Sequence, residues 1–429
     1  MRWKHRYSVL GIILVSYVIC YVDRMVMASA IPFIAADLQL SPVAMGQVLG
    51  AFFAGYALMQ IPGGLLADRF GPRAVLTTSI ALWSVMTALT GMASGLLALL
   101  AIRVLFGIAE GPFASAVSKT VAQWFPAREL SRATGLMNGS TALGATVAPI
   151  FVVALIVNWG WRSVFFSLLV PGFVLALVVW RYVVNSPVES RRVTRQELAD
   201  YDGDVSSQRV PLKETLLQSL RTPSVLWCAG SFLMLGMTNW GMLTWLPTYL
   251  LQARGFSAEK MSYLAAATNL SGVVGFALGG YLCDKYFRNN IRILISIGAV
   301  LTAGFTYLAA TASTGEWAVA CFAAAFLASG LSITPVLTLP MVLVPKHAVG
   351  GAFGIVNTAG QAAGLFSPLL IGYLLKVTDG NFKIVLYSMV ACSLTAIIPS
   401  LQIRYRVQHR EAPPDFEPVP PQPVQQPVR

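Results

Sequence analysis

Apolar residues gather along this chain into long segments separated by connectors that are mostly short and polar. Twelve such segments can be traced, over roughly 7–36, 43–67, 74–96, 97–118, 131–156, 161–183, 223–251, 261–283, 291–312, 316–340, 350–375 and 383–403. Crossing ~30 Å of hydrocarbon takes ~20 apolar residues in an α-helix, and these segments are of that order. Strand-like alternation does not recur every ten residues, which argues against a membrane β-barrel. The pattern predicts an all-α integral membrane protein of twelve transmembrane helices.

Composition agrees. Of 429 residues, 56% are hydrophobic and only 11% charged, against about 25% charged in an ordinary soluble domain, so a water-soluble enzyme is excluded. The one long polar stretch, 184–222, carries Arg191, Arg192, Arg195, Glu197, Asp200, Asp202 and Asp204. It reads as a linker between an N-terminal six-helix unit over 1–183 and a C-terminal one over 223–403. The remainder, 404–429, is expected to be a disordered tail, since its last part is dense in proline. The net charge of +12 is distributed by topology. Of 30 Lys and Arg, 23 lie at the termini and in the even-numbered connectors; only Arg162, Arg254, Lys260, Lys376 and Lys383 lie on the opposite side. By the positive-inside rule both termini are cytoplasmic, and no nucleic-acid partner is implied; the lipid bilayer is the partner. The basic start Met1–Arg6 runs directly into the first span and reads as a retained helix. The five cysteines lie in apolar segments and suggest buried free thiols, with neither disulfides nor a metal site.

The two halves repeat one another. Residues 63–69, Gly-Gly-Leu-Leu-Ala-Asp-Arg, recur as Gly-Gly-Tyr-Leu-Cys-Asp-Lys at 279–285. Pro126, Ala133, Gly135, Asn138 and Pro149 recur as Pro345, Ala352, Gly354, Asn357 and Pro368. With an even number of spans per half, the halves enter the membrane in parallel. That arrangement is used by secondary transporters, with the site at the repeat interface near the midplane.

Four charges fall well inside spans: Asp23, Arg24, Arg103 and Glu110. Each costs ~2.5–3.5 kcal/mol at mid-bilayer on insertion scales. Arg103 and Glu110 are seven residues apart, hence on one helix face and ~10 Å apart along the axis. One reading is structural, two fixed ion pairs such as Asp23–Arg103 and Glu110–Arg24. The other is functional: the arginines neutralise a carboxylate cargo while the carboxylates take up protons, the two states alternating. His5, His347 and His409 all lie outside the spans, so proton carriage in the membrane falls to a carboxylate. No cofactor is needed beyond the proton itself. A P-loop, a His-rich metal cluster and a midplane Ser/His/Asp set are all missing, which argues against an enzyme.

Polar side chains recur on helical faces: Tyr21, Tyr56 with Gln60, Asn357 with Gln361, and Asn138, Ser140 and Thr141 on the fifth span, with Asn239 and Asn269 beyond. Small-residue pairs Gly107/Gly111, Gly135/Gly139 and Gly350/Gly354, with Gly272, Gly275 and Gly279 on the eighth span, permit close, sliding helix contacts, and plain structural packing explains them equally well.

The segment Gly64-Leu-Leu-Ala-Asp68-Arg69-Phe-Gly71-Pro-Arg73 resembles the motif between spans 2 and 3 of the major facilitator superfamily, with a weaker second copy around Asp284 in which Phe287 replaces a glycine. In such a gating motif Gly64 is expected to let two helices approach, and Asp68 to accept bonds at a neighbouring helix N-terminus. Arg69 and Arg73 stay at the basic surface. Closer similarity is to the anion:cation symporter branch, which includes carriers of galactonate, hexuronates, glucarate and phthalate and vesicular glutamate and sialic acid transporters. It rests on Tyr21-Val-Asp23-Arg24, Tyr56-Ala-Leu-Met-Gln60-Ile-Pro-Gly-Gly64, Arg103 with Glu110-Gly111, Trp124-Phe-Pro126, Trp161-Arg162 and Trp245-Leu-Pro-Thr-Tyr249-Leu. The resemblance implies a proton-coupled symporter of a small organic anion, a sugar acid or related carboxylate, working as a monomer in a bacterial inner membrane. Asp23 and Glu110 would then couple protons, and Arg24 or Arg103 would hold the carboxylate, with Arg103 favoured because its helix also bears Glu110. Tyr21, Tyr56 and Asn357 match lining positions of the sugar-acid carriers, and Gln361 shares Asn357's face. Thr141 stands where those carriers often have glutamine, which points to a less hydroxylated cargo. An anion exchanger or potential-driven uniporter is the alternative, ahead of a non-transporting receptor.

Overall fold

The computed structural model describes residues 5–190, 192–194, 212–287, 289–345 and 348–404. The Pro-rich tail, most of the linker, Arg288, His347 and His409 lie outside them, as does the Asn138 side chain. We label the membrane helices α1 (His5–Leu38), α2 (Pro42–Phe70), α3 (Pro72–Thr90), α4 (Leu96–Trp124), α5 (Ala127–Trp159), α6 (Trp161–Tyr182), α7 (Pro223–Thr248), α8 (Ala258–Lys285), α9 (Ile291–Thr311), α10 (Gly315–Thr338), α11 (Val349–Val377) and α12 (Phe382–Gln402). Eleven of these satisfy length and hydropathy for a membrane span among the described residues. The other, α7, is 26 residues long, carries no charge, and owes its lower hydropathy to Thr, Asn and Trp residues. α4 extends beyond 118 to Trp124, so Lys119 rides on a helix and not in a connector.

Local chemistry sets the helix ends. The Ser41 hydroxyl accepts from the Ala44 N–H at 3.3 Å, with Pro42 at the first helical position of α2. Ser257 and Thr314 cap α8 and α10 in the same way. Between α2 and α3 the chain reverses at a single residue, Gly71, with φ +80°, and Pro72 opens the next helix; a side chain here would be strained and would collide with Asn185. α7 passes into a π-turn over Tyr249–Ala253. Arg254 pins that turn, donating to the Tyr249 hydroxyl at 2.6 Å and to the Ala309 and Ala312 carbonyls at the end of α9.

The face carrying the start of α1 and the linker is here the linker face, and the opposite one the distal face. Buried residues fall into three clusters. One joins the distal portions of both halves, bringing Ile31 and Ile34 of α1 and Val152 of α5 together with Trp245 of α7, Met261 of α8 and Ile371 of α11. The linker-face portions form two separate clusters, one per half. The contacts of glycines follow the same division. A Cβ at Gly46 would lie 2.3 Å from the Pro368 carbonyl oxygen, and one at Gly372 would lie 2.4 Å from that of Pro42, so α2 and α11 touch distally. Gly135, Gly139, Gly350 and Gly354, nearer the linker face, have nothing within 4 Å. The halves are therefore closed together distally and parted toward the linker face, leaving a cleft between them.

The small residues divide along the same line. Gly107 and Gly111 pack α4 on α2, and Gly272, Gly275 and Gly279 pack α8 on α10, all within one half. Gly135/Gly139 and Gly350/Gly354 make no helix contact here. The expected close approach at Gly64 belongs to its neighbour: Gly64 faces open space, whereas a Cβ at Gly63 would lie 2.6 Å from Pro112 Cα.

Candidate functional site

α2 and α4 run parallel and nearly in backbone contact. A Cβ at Gly55 would stand 2.0 Å from the Val104 carbonyl oxygen, and one at Gly107 2.1 Å from that of Phe52. This seam brings Phe52 and Tyr56 beside the face of α4 that carries Arg103 and Glu110. Arg24 of α1 reaches into it. Its guanidinium carbon lies 4.9 Å from the Tyr21 ring centroid and 4.8 Å from those of both Phe52 and Tyr56. Such aromatic faces suit a cation that has lost its water.

Within this aromatic enclosure Arg24 donates from Nε at 3.1 Å and from Nη2 to one oxygen of Glu110, Oε1. Both residues are buried; Glu110 Oε2 makes no hydrogen bond of normal geometry among the described residues, and the Cys20 thiol lies beside the carboxylate. Arg103 is also buried, 5.1 Å from the Phe106 ring and 5.7 Å from that of Phe52. It lies within electrostatic reach of Glu110, Arg24 and Asp23. Yet it makes no hydrogen bond or ion pair among the described residues, and its Nε is unpartnered. Asp23 faces α3, where Oδ1 accepts from the Thr87 hydroxyl at 3.1 Å. Its Oδ2 makes no hydrogen bond of normal geometry among the described residues, but the indole N–H of fully buried Trp83, also on α3, lies close enough to interact with the carboxylate. Of the two fixed ion pairs considered from the sequence, one is formed, Arg24–Glu110; Asp23 and Arg103 make no direct ion pair among the described residues.

The C-terminal half closes the site distally. The antiparallel register of α2 and α11 takes Gly46 past Pro368, Gly50 past Leu365 and Phe53 past Gly364. One and two turns further toward the linker face it puts Tyr56 level with Gln361 and Gln60 level with Asn357. Gln60 Nε2 and Gln361 Oε1 are buried without partners among the described residues. Trp240 of α7 meets Phe53 edge-on at 4.7 Å. Trp240 and Leu365 are the C-terminal-half residues that pack on the linker-face core of the N-terminal half. Phe53 and Trp240 therefore form a floor between this polar lining and the distal core. Asn239 and Asn269 are engaged elsewhere, bonding Ser329 and the Ala145 carbonyl.

Sequence reasoning singled out the four charges, Tyr21, Tyr56, Asn357 and Gln361, and missed Phe53, Thr87, Trp83 and Trp240. Thr87 and Trp83 are four apart, on one face of α3; the spacing is visible in the sequence, its meaning only once α1 is docked. The gating-motif residues sit away from the charges, at the linker face. Asp68 pairs with Lys119 of α4 at 2.7 Å, not with a helix N-terminus. Lys119 reaches it because α4 runs on past the predicted end. The backbone N–H of Arg73 donates to Asn185, its guanidinium lies 4.2 Å from the Trp180 ring, and Asp284 is exposed.

The Major Facilitator Superfamily profile matches residues 13–420. The chain belongs to this superfamily. It is a multi-pass membrane transporter, not an enzyme. It is 32% identical over 389 residues to a probable sulfoacetate transporter of Cupriavidus necator, covering 88% of this chain and 89% of that protein. It is 29% identical to a hexuronate transporter of Bacillus subtilis, covering 89% and 90% of the two chains. It is 30% identical to a probable galactarate/D-glucarate transporter of Escherichia coli, covering 86% and 88%. Among solved structures, a bacterial homologue of the human lysosomal transporter Spinster, captured inward-facing and unoccupied, shares the fold with a TM-score of 0.77. The identity is 18%, over 94% of this chain and 95% of that one.

Proposed function

We propose that this protein is a proton-coupled symporter that carries a small organic anion by alternating access. The observation that carries this reading is the asymmetry of the buried charges. Arg24 is ion-paired to Glu110, while Arg103 and Asp23, also buried, make no direct ion pair among the described residues. A buried charge without a direct hydrogen-bonded partner is costly in a medium of low dielectric, and its retention supports an occupant that arrives and leaves. An organic anion on Arg103 supplies the missing negative charge, and a proton on Asp23 removes the surplus one. Protonation of Glu110 releases Arg24 for the same cargo. Tyr21, Tyr56, Asn357 and Gln361 read the remainder of the molecule.

The relatives, named for sulfoacetate, hexuronate and galactarate or D-glucarate, support an acidic cargo of this size. The basic connectors support a linker face in the cytoplasm of a bacterial cell, with the cleft open inward. With two protons per monoanion, one net charge moves inward, worth ~2.3 kcal/mol per 100 mV.

Proteoliposomes with an imposed pH gradient test this, with D-galactonate, D-glucarate and sulfoacetate as probes. Concentrative uptake is expected in the wild type and absent in Asp23→Asn and Glu110→Gln. Equal accumulation by both variants overturns the proton assignment. Uptake that requires preloaded internal anion establishes the exchanger instead.

A further inference from the structure

A crevice of about 510 Å³ lies on the outer wall of the N-terminal half, between α2, α3 and α4 and away from the buried charges. Its walls are apolar, formed by residues such as Met59, Leu66, Leu82 and Leu105. Along α3 it follows one face from Ala74 to Met86, a rise of about 18 Å. One leaflet of a ~30 Å hydrocarbon core is about 15 Å deep. The crevice begins at the linker face, where α2 ends and α3 begins, and so runs the depth of one leaflet. Its linker-face end is basic. Phe70 lines it, and the Arg69 guanidinium carbon lies 5.3 Å from that ring. Arg69 makes no ion pair among the described residues, because its neighbour Asp68 is taken by Lys119. Lys119 itself stands two turns beyond Pro112 on the crevice side of α4.

We infer that this crevice is a binding site for one anionic phospholipid of the linker-face leaflet, an acyl chain lying along α3 and the headgroup phosphate on Arg69. Apolar walls alone accept any lipid chain. The unpaired arginine at the headgroup level selects a net negative one, because a zwitterionic headgroup brings its own cation to the same place. The site adjoins the transport machinery: Ala109 and Pro112 line the crevice, and Glu110 between them holds Arg24 on the opposite side of α4. A chain wedged here braces α4 against α3.

Native mass spectrometry of the full-length protein, with phosphatidylglycerol and phosphatidylcholine of identical acyl chains as probes, tests the site without any transport substrate. One phosphatidylglycerol is expected to stay bound in preference to phosphatidylcholine. Arg69→Gln should cut that preference about fivefold, the worth of one arginine near an anionic leaflet, and Arg69→Lys should restore most of it. Thr78→Trp, which fills the crevice from the exposed side of α3, should expel the tightly held lipid while leaving the melting temperature unchanged. A Leu82→Trp variant serves if Thr78→Trp does not fold. Equal retention of the two lipids, an undiminished preference in Arg69→Gln, or a lipid still held with the crevice filled overturns the proposal. So does a dimer that occludes α3.

Discussion

Arg24 turns two donors onto a single oxygen of Glu110, 86 residues away, while Arg103, on the same helix as Glu110, bonds nothing among the described residues. One cation is held and the other is free, so the two are unequal in bonding. In the function proposed above, an anion entering from the cleft meets the free one first, since engaging Arg24 requires Glu110 to let go.

Arg103→Ala should therefore weaken anion binding more than any single change among the lining tyrosines. A hydrogen bond to a charged group is worth ~1.5–3 kcal/mol, so the dissociation constant for a transported acid should rise roughly 10- to 150-fold. Arg103→Lys should recover only part, for want of the planar fork. Isothermal titration on purified protein reads this directly. Unchanged affinity in Arg103→Ala removes the anchor role.

The distinction between the two arginines was not available from the sequence, and the reason is geometric. Periodicity fixes which residues share a helix face, so the pairings Tyr56 with Gln60, Asn357 with Gln361 and Arg103 with Glu110 could all be read in advance. The twelve spans and the repeat were equally legible, because hydrocarbon thickness and backbone satisfaction leave a membrane chain few options. How the helices are set against each other is decided by backbone approach at sites such as Gly55 and Gly107, and that decides which cation meets which anion. The aromatic floor escaped notice for the same cause: Phe53 and Trp240 are ordinary apolar residues until α2 and α7 are side by side.

That floor should be a barrier. Phe53 and Trp240 meet edge-to-face at 4.7 Å, a geometry worth ~0.5–1.5 kcal/mol beyond area burial. In a background whose native cysteines are replaced by serine, Gln361→Cys should react with a membrane-impermeant maleimide from the linker face only. Adding Trp240→Ala should open it to reagent from the distal face, and Trp240→Phe should do so more slowly. Labelling still confined to the linker face in Trp240→Ala would place the barrier elsewhere.

A polar clasp holds the distal ends of α1 and α6. Asp37 Oδ2 accepts from Arg162 at 2.7 Å and from the Trp161 indole N–H at 3.0 Å. Both charged side chains are nearly half exposed, 46% and 44%, and exposed pairs contribute only ~0.2–1 kcal/mol. A double-mutant cycle of Asp37→Asn and Arg162→Gln, followed by thermal unfolding in low and high salt, should return a coupling in that range that shrinks as salt rises. A larger, salt-insensitive coupling means the clasp is shielded from solvent.

The glycines separate packing from motion. Gly107 sits in the α2–α4 seam, where a Cβ would be 2.1 Å from a carbonyl oxygen of Phe52 that cannot swing aside. Gly107→Ala should therefore lower the melting temperature markedly, because backbone must move to admit it. Gly354 faces the open cleft with nothing within 4 Å, so Gly354→Leu costs nothing in this state and should leave the melting temperature unaltered. Alternating access requires the linker-face ends of α11 and α2 to close as their distal ends do now, at Gly46, Gly50 and Gly372. Gly354 repeats Gly135 between the two halves, and each is without a side chain on a surface that must come together. Gly354→Leu should thus bind anion from the linker side with wild-type affinity yet fail to transport it. A stable Gly354→Leu protein that transports at the wild-type rate shows that this surface stays open throughout the cycle.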